Sequence, residues 1–291
     1  MKQNLCSWHH LRHIISLAVF VVFPFGGAAI LWQPVAQAGS LSISAGGSYE
    51  LFAYREHLTA PQKSTETAYV PTAIFSAQWY LGDSQTNSQT TNRSYLRVRY
   101  GTCRNIASVY DGSELNTSAP VTATNVLAFN TIELAAYVAF GDSIFGYIGY
   151  GYRVWNRFLA GSPGYLEIYR WYYMPLGAQW WWSTSGVMDF GVDFSVRPTS
   201  RGVIEVITSQ TYSNGQDSSM DLGAKTGYRL SFPIKNFFNP WMIELTPWYE
   251  RSEIGQSNSV PNSTLGGTQE IFEPASTTDR YGADFLLTYY F

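Results

Sequence analysis

The chain has 291 residues, 13% of them charged and 16% aromatic, with 18 lysines and arginines against 21 aspartates and glutamates. A soluble domain usually carries about 25% charged residues, and a slight acidic excess offers no basic footprint for nucleic acid. Cysteine occurs only at Cys6 and Cys103, and three of the four histidines precede residue 14, which excludes a disulfide framework and a clustered His/Cys metal site in the rest of the chain.

Residues 1–38 differ from everything after them. Lys2 and Arg12 flank or precede an apolar run over 14–32, broken by Pro24, Gly26 and Gly27, and the segment closes on Ala36, Gln37 and Ala38. A basic region, an apolar core and a small-x-small site predict a cleaved secretory signal peptide, with the mature chain starting at Gly39. A retained anchor is the competing reading, because the run approaches the roughly 20 residues of a membrane helix. Cleavage would leave 16 basic against 21 acidic residues, with His57 and Cys103 as the sole histidine and cysteine.

After residue 38 no run of roughly 18 apolar residues occurs, and the pattern becomes period two, the signature of half-buried strands. Over 41–54, Leu41, Ile43, Ala45, Tyr49, Leu51 and Ala53 oppose Ser42, Ser44, Ser48 and Glu50. Over 69–81 the apolar face is Tyr69, Ala73, Phe75, Ala77 and Trp79, with Thr72, Ser76 and Gln78 opposite. From Ser94, Leu96, Val98 and Tyr100 oppose Arg97 and Arg99; over 126–140, Ile132, Leu134, Ala136, Val138 and Phe140 oppose Glu133.

The fifth strand, 144–158, sets Ile144, Ile148, Tyr150, Tyr152 and Val154 against Tyr147, Arg153, Trp155 and Arg157. The sixth, 165–182, is aromatic on both faces, and Leu166, Ile168, Met174 and Leu176 favour one as apolar, which points Arg170 the same way. In the seventh, Met188, Phe190, Val192, Phe194 and Val196 alternate with Asp189, Gly191, Asp193, Ser195 and Arg197. The eighth, 220–232, places Leu222, Ala224, Tyr228 and Leu230 opposite Asp221, Lys225 and Arg229. The ninth, 241–250, places Ile243, Leu245 and Tyr249 opposite Glu244, Thr246, Trp248 and Glu250.

Inner connections are expected at 82–92, 141–143, 183–185 and 233–239, and long outer loops near 104–125, 198–219 and 252–278. Asp111-Gly112 and Asn214-Gly215 read as hairpin tips. Trp79, Tyr80, Phe140, Phe145, Trp180, Trp181, Trp182, Trp241 and Phe291 collect at the inner ends and predict an aromatic girdle.

The last strand, 279–291, reads DRYGADFLLTYYF, with Tyr281, Ala283, Phe285, Leu287, Tyr289 and Phe291 on one face and Arg280 and Asp284 on the other. It resembles the closing strand of the bacterial outer-membrane β-barrel proteins, which ends in Phe after alternating hydrophobics. The resemblance implies that Phe291 is an insertion signal read by the barrel-insertion machinery, and that the protein resides in outer-membrane lipid of a Gram-negative bacterium. The fold predicted is an all-β, transmembrane, antiparallel up-and-down barrel over 39–291 with about ten strands, eight and twelve being the alternatives. Open edges are costly in hydrocarbon, so 279–291 is expected to pair with 41–54.

Acidic Glu50, Glu133, Asp189, Asp193, Asp221, Glu244 and Asp284 then face basic Arg97, Arg99, Arg153, Arg157, Arg197, Lys225 and Arg229 across the lumen, and a salt-bridge network is expected. Tyr147, Trp155, Tyr169, Trp171 and Tyr173, with Phe129 and Tyr137, are candidates to line one inner wall, where rings stack on a ligand or fill space. His57 lies in an outer loop beside Arg55 and Glu56, and Asp189 and Asp193 share a strand face. Neither set carries a catalytic motif, and no catalytic, cofactor or metal residue is assigned. The reading is a non-enzymatic narrow channel or porin-like transport protein for small solutes. A plugged barrel that binds a surface ligand is the alternative, and a membrane hydrolase the third.

Overall fold

The structure is a computed structural model and describes residues 41–81, 93–113, 119–160, 164–183, 188–211, 215–238, 240–262 and 269–291. The 1–38 segment, the 82–92 link and Asn214 lie outside these. The described residues form fifteen strands: β1 (Leu41–Glu56), β2 (Ser64–Tyr80), β3 (Tyr95–Ser113), β4 (Pro120–Ala139), β5 (Ile144–Leu159), β6 (Tyr165–Tyr173), β7 (Leu176–Ser183), β8 (Met188–Ile207), β9 (Ser218–Leu222), β10 (Thr226–Ser231), β11 (Ile234–Phe238), β12 (Trp241–Ile254), β13 (Val260–Asn262), β14 (Gln269–Ile271) and β15 (Ser276–Tyr290).

All pairings are antiparallel, and they close a ring. β6 and β7 both lie between β5 and β8, and β10 and β11 both lie between β8 and β12, so each set is one broken stave. With those joined the barrel has ten staves, sealed by β15 against β1 from Ser42↔Tyr290 to Glu56↔Ser276 and against β12 on its other edge. Prolines mark the breaks. Pro175 separates β6 from β7 and Pro233 separates β10 from β11, and their carbonyls still accept from Gly149 N and Gly191 N. A residue without an N–H cannot continue the ladder.

The strands outrun the sequence expectation at their outer ends. Asp111 and Gly112 do not form a hairpin tip; they sit in β3, paired with Thr65 and Ser64 on one side and Thr122 and Val121 on the other. β8 likewise continues through Pro198 to Ile207, and 234–238 is a strand where an inner link was expected. At 141–143 the tight turn forms, with Gly141 at φ 81°. A strand of 20 residues such as β4 or β8, tilted by about 40°, rises roughly 50 Å, about twice the roughly 25 Å apolar band of such barrels.

That surplus length explains the polarity of the wall. β1 keeps one side-chain parity throughout, with Ser42, Ser44, Ser48, Glu50, Phe52 and Tyr54 all buried inside. In its first half the outward residues are apolar and the inward ones polar. Above Glu50 the inward residues turn aromatic and the outward side reaches Arg55. β2 repeats this from the other direction: Phe75 and Tyr69 face out below, Val70 and Ala68 face in on either side of Tyr69, and above them Thr67 and Thr65 face out. β4 follows with Leu134 and Ile132 outward beside Glu133, then Phe129 and Leu127 inward beside Asn130. The lower half is inside-out, as lipid requires, and the upper half has the ordinary polarity of a protein in water.

Two aromatic girdles bound the lower half. Trp79, Phe140, Trp180, Trp182, Trp241 and Phe291 face outward at the inner end; Tyr80, Phe145 and Trp181, expected in the same girdle, turn inward instead. The outer girdle, which the sequence reading did not anticipate, is made of tyrosine, with contacts from Tyr49 to Tyr69, Tyr150 and Tyr152 to Tyr172, and Tyr228 through Tyr249 to Tyr281. The ten residue steps from Tyr281 to Phe291 span about 33 Å of strand, or about 25 Å of height at that tilt. At or just above the tyrosines the outward ion pairs begin, Arg170 with Glu205 and Arg251 with Glu253 and Asp279.

One strand breaks its predicted parity. Between β9 and β10 the chain leaves the ladder at 223–225, held by a bridge between Gly223 and Gly255. The interruption exchanges the faces. Leu222 points into the core and Asp221, opposite the outward Val203, is exposed, as is Lys225; from Tyr228 the expected parity resumes with Arg229 inside. Asp221 and Lys225 are therefore not lumen charges.

Candidate functional site

Inward glycines set how side chains cross the lumen. A Cβ on Gly282 would meet the Trp248 ring at 2.8 Å and Cβ of Glu50 at 2.9 Å, and one on Gly177 would meet the Tyr147 ring at 2.4 Å. The rings lie flat on bare backbone, which frees the centre for charged groups.

In the lower half those groups form one connected network. Glu250 is its hub: Oε1 accepts from Arg153 Nη1 at 2.7 Å and Oε2 from Arg197 Nη1 at 2.8 Å, with Arg229 and Arg280 each at 3.5 Å. Arg197 also donates to Glu133 at 3.0 Å, which takes Arg97 at 3.4 Å and the Tyr173 hydroxyl at 3.1 Å. Arg280 forks onto both oxygens of Glu50 at 2.6 and 2.8 Å. Asp284 accepts from Arg99 at 2.6 Å, Arg229 at 3.3 Å and the Trp248 indole at 2.8 Å. Glu250 is 1% exposed. A carboxylate so buried persists only with this many donors around it.

Beside the network runs a cavity of about 120 Å³. Asp193 faces it and accepts from Tyr147 at 2.7 Å and Gln179 at 2.7 Å; Glu244 accepts from Thr246 at 2.8 Å. A second, smaller space continues toward the inner end past Gln78, Tyr95, Trp181, Asp189 and Lys235. Lys235, on a segment read from sequence as a link, stands over the Trp181 ring at 3.8 Å and lies opposite Asp189 in register.

Above the network the lumen is filled by packed, largely apolar side chains. Phe52, Tyr54, Leu127, Trp155, Tyr169 and Ile204 are each 1% exposed or less, and Phe129, Trp171, Tyr173, Val206, Met220 and Leu222 belong to the same cluster. Trp155 is central, with ring centroids at 4.6 Å from Tyr169, 5.1 Å from Tyr54, 5.5 Å from Phe52 and 5.9 Å from Phe129. Of the aromatics singled out from sequence, Trp155, Tyr169 and Trp171 thus fill the outer core, Tyr147 faces the cavity, and Tyr173 joins the two levels.

A second charge cluster lies among these residues. Arg157 donates to Glu66 at 2.6 Å and Glu167 at 3.0 Å, with Glu56 at 3.7 Å. Glu66 also accepts from Asn125 at 2.8 Å and from Ser108 at 2.5 Å. Glu273, in the connection after β14, accepts from the hydroxyls of Tyr54 and Tyr169, both at 2.9 Å. Glu66, Glu167 and Glu273 escaped the sequence reading. The first two were legible from alternation, since Ile168 and Leu166 flank Glu167; Glu273 arrives by a loop whose path no periodicity encodes. His57 is removed from both clusters and bonds Thr277 Oγ1 through Nε2 at 2.8 Å.

No family model and no curated protein matches this sequence. Among solved structures, the outer membrane protease OmpT from Escherichia coli superposes over 86% of this chain and 96% of its own, with a TM-score of 0.53 at 11% identity. The fold is that of a bacterial outer-membrane β-barrel. The translocator domain of the autotransporter NalP from Neisseria meningitidis matches over 88% of this chain and 90% of its own at TM-score 0.45 and 9% identity. The outer membrane protein OprG from Pseudomonas aeruginosa does so over 88% and 97% at 0.39 and 12%.

In this outer-membrane barrel, residues 255–262 and 270–275 lie on the outer core: Ser257 N donates to Glu273 O, Asn262 Nδ2 to Ser218 Oγ, and Val260 and Ile271 pack on the apolar cluster. Burial, then the nearby Glu167 and Glu56 carboxylates, hold the Glu273 carboxyl well above its ordinary range, against the smaller opposing pull of Arg157. A pKa raised on folding contributes stability that is complete below the unfolded value and is lost as pH rises through the folded one. Proteolysis within 255–275 is therefore expected to accelerate as pH rises, and Glu273→Gln to flatten that dependence; an unchanged pH profile in the variant would refute the assignment.

Proposed function

We propose that this is a closed outer-membrane barrel, exported through the signal peptide read at 1–38, that works through its outer face and not by conducting solutes. One observation carries the reading: the outer half of the lumen is packed with Phe52, Tyr54, Leu127, Trp155, Tyr169 and Ile204, each 1% exposed or less among the described residues. Burying each such side chain contributes roughly 1.5–3 kcal/mol, so opening a conduit there would cost many times the thermal energy. The same packing weighs against the narrow channel that the sequence reading put first. It supports the surface-binding alternative, and the extra strand length raises the packed outer half of the barrel well clear of the apolar belt.

Planar-bilayer recording of the purified protein is the direct test. The expected trace is flat at all voltages in molar salt. Reproducible unitary current steps would overturn the proposal and restore the channel.

A further inference from the structure

In the lower network six guanidiniums, Arg97, Arg99, Arg153, Arg197, Arg229 and Arg280, meet four carboxylates, Glu50, Glu133, Glu250 and Asp284. The other lumen acids beside the cavity, Asp193 and Glu244, are held by neutral donors and form no ion pair among the described residues. The ion-paired network therefore holds six positive charges against four negative ones, with Asp193 and Glu244 on the same cavity wall but beyond ion-pair distance of its arginines.

The carboxylates are also the hidden partners. Glu133 and Asp284 have side chains 7% and 3% exposed, whereas Arg97, Arg99 and Arg229 are 18%, 23% and 18% exposed, and all three line the cavity. Arg99 and Arg229 share the same oxygen of Asp284, which brings two like charges together, and beyond the 3.5 Å contact of Arg229 with Glu250 neither makes a further hydrogen bond or ion pair among the described residues. Arg97 makes only one long bond to Glu133, at 3.4 Å, and its Nε has no hydrogen-bond partner. Guanidinium forks with spare donors, gathered on a cavity of about 120 Å³, match the oxygens of a small oxyanion.

We propose that this cavity binds a small oxyanion of the phosphate, sulfate or carboxylate class on Arg97, Arg99 and Arg229. The anion neutralises the local excess and takes donors that the buried carboxylates do not reach. The site is independent of the closed outer core, since it lies on the inner side of it.

The test is calorimetric titration of the folded, detergent-solubilised barrel with inorganic phosphate and with sulfate, at constant ionic strength against chloride. Saturable binding of at least one of them is expected, weakened about tenfold or more in Arg97→Gln/Arg99→Gln and unchanged in Arg170→Gln on the outer wall. Absence of saturable binding to the wild-type protein, or equal affinity in a double variant that retains heat-modifiable migration, overturns the proposal. Should the double variant not fold, phenylglyoxal labelling of the wild type decides the matter: phosphate protects Arg97 and Arg99 but not the exposed Arg201 if the site exists, and labelling is the same with and without phosphate if it does not.

Discussion

Glu250→Ala is expected to destabilise the barrel by ~3–5 kcal/mol, the cost of leaving buried charge without its partner. The magnitude follows from position. Glu250 touches Arg153, Arg197, Arg229 and Arg280 from a side chain 1% exposed, and its removal would leave four guanidiniums facing Glu50, Glu133 and Asp284 only. Glu250→Gln keeps the shape but offers one carbonyl oxygen and turns an amide toward cations, so it should recover little. Arg251→Ala, one residue away but in partly exposed pairs with Glu253 and Asp279, should cost at most about 1 kcal/mol. Urea unfolding in lipid vesicles, followed by tryptophan fluorescence, measures all three. If the Glu250 and Arg251 variants unfold at the same midpoint, the hub assignment is wrong.

The barrel was legible because lipid imposes a strict alternation on every stave. Met188 to Arg197 and Tyr281 to Phe291 declare their faces residue by residue, and the ring pairs β15 with β1 as edge closure demands. The hub was half legible: Glu250 and Arg280 could be placed inside, but alternation ranks no inward charge above another, and which four arginines converge depends on stave order and tilt. The outer core was missed for a different reason. A reading that assigns the apolar side of each strand to lipid has no place for Phe52, Tyr54, Val70 and Leu127, which are apolar at inward parity. The signal was present as a polarity reversal at fixed parity, and it marks where the strand leaves the membrane. Asp221 and Lys225 failed because a break at 223–225 resets the count of two, and no composition cue distinguishes such a break from a bulge-free strand.

Trp155→Ala tests the outer core itself and should cost ~3–5 kcal/mol, the range for removing a large buried aromatic. The indole is 1% exposed and touches Phe52, Tyr54, Phe129 and Tyr169, so the space it vacates cannot collapse without moving rings that are themselves anchored on the two neighbouring staves and on β1. Its Nε1 has no hydrogen-bond partner, hence Trp155→Phe loses volume but no bond and should retain most of the stability. Because the core lies above the tyrosine girdle, the damage is expected outside the membrane: faster proteolysis after Gly255, where Val260 and Ile271 pack on it, with the lower barrel still heat-modifiable. A single deletion leaves Leu127, Ile204 and Tyr169 in the lumen, so bilayer recordings of Trp155→Ala should stay flat. Current in that variant, from one missing ring, would mean that the plug is a gate.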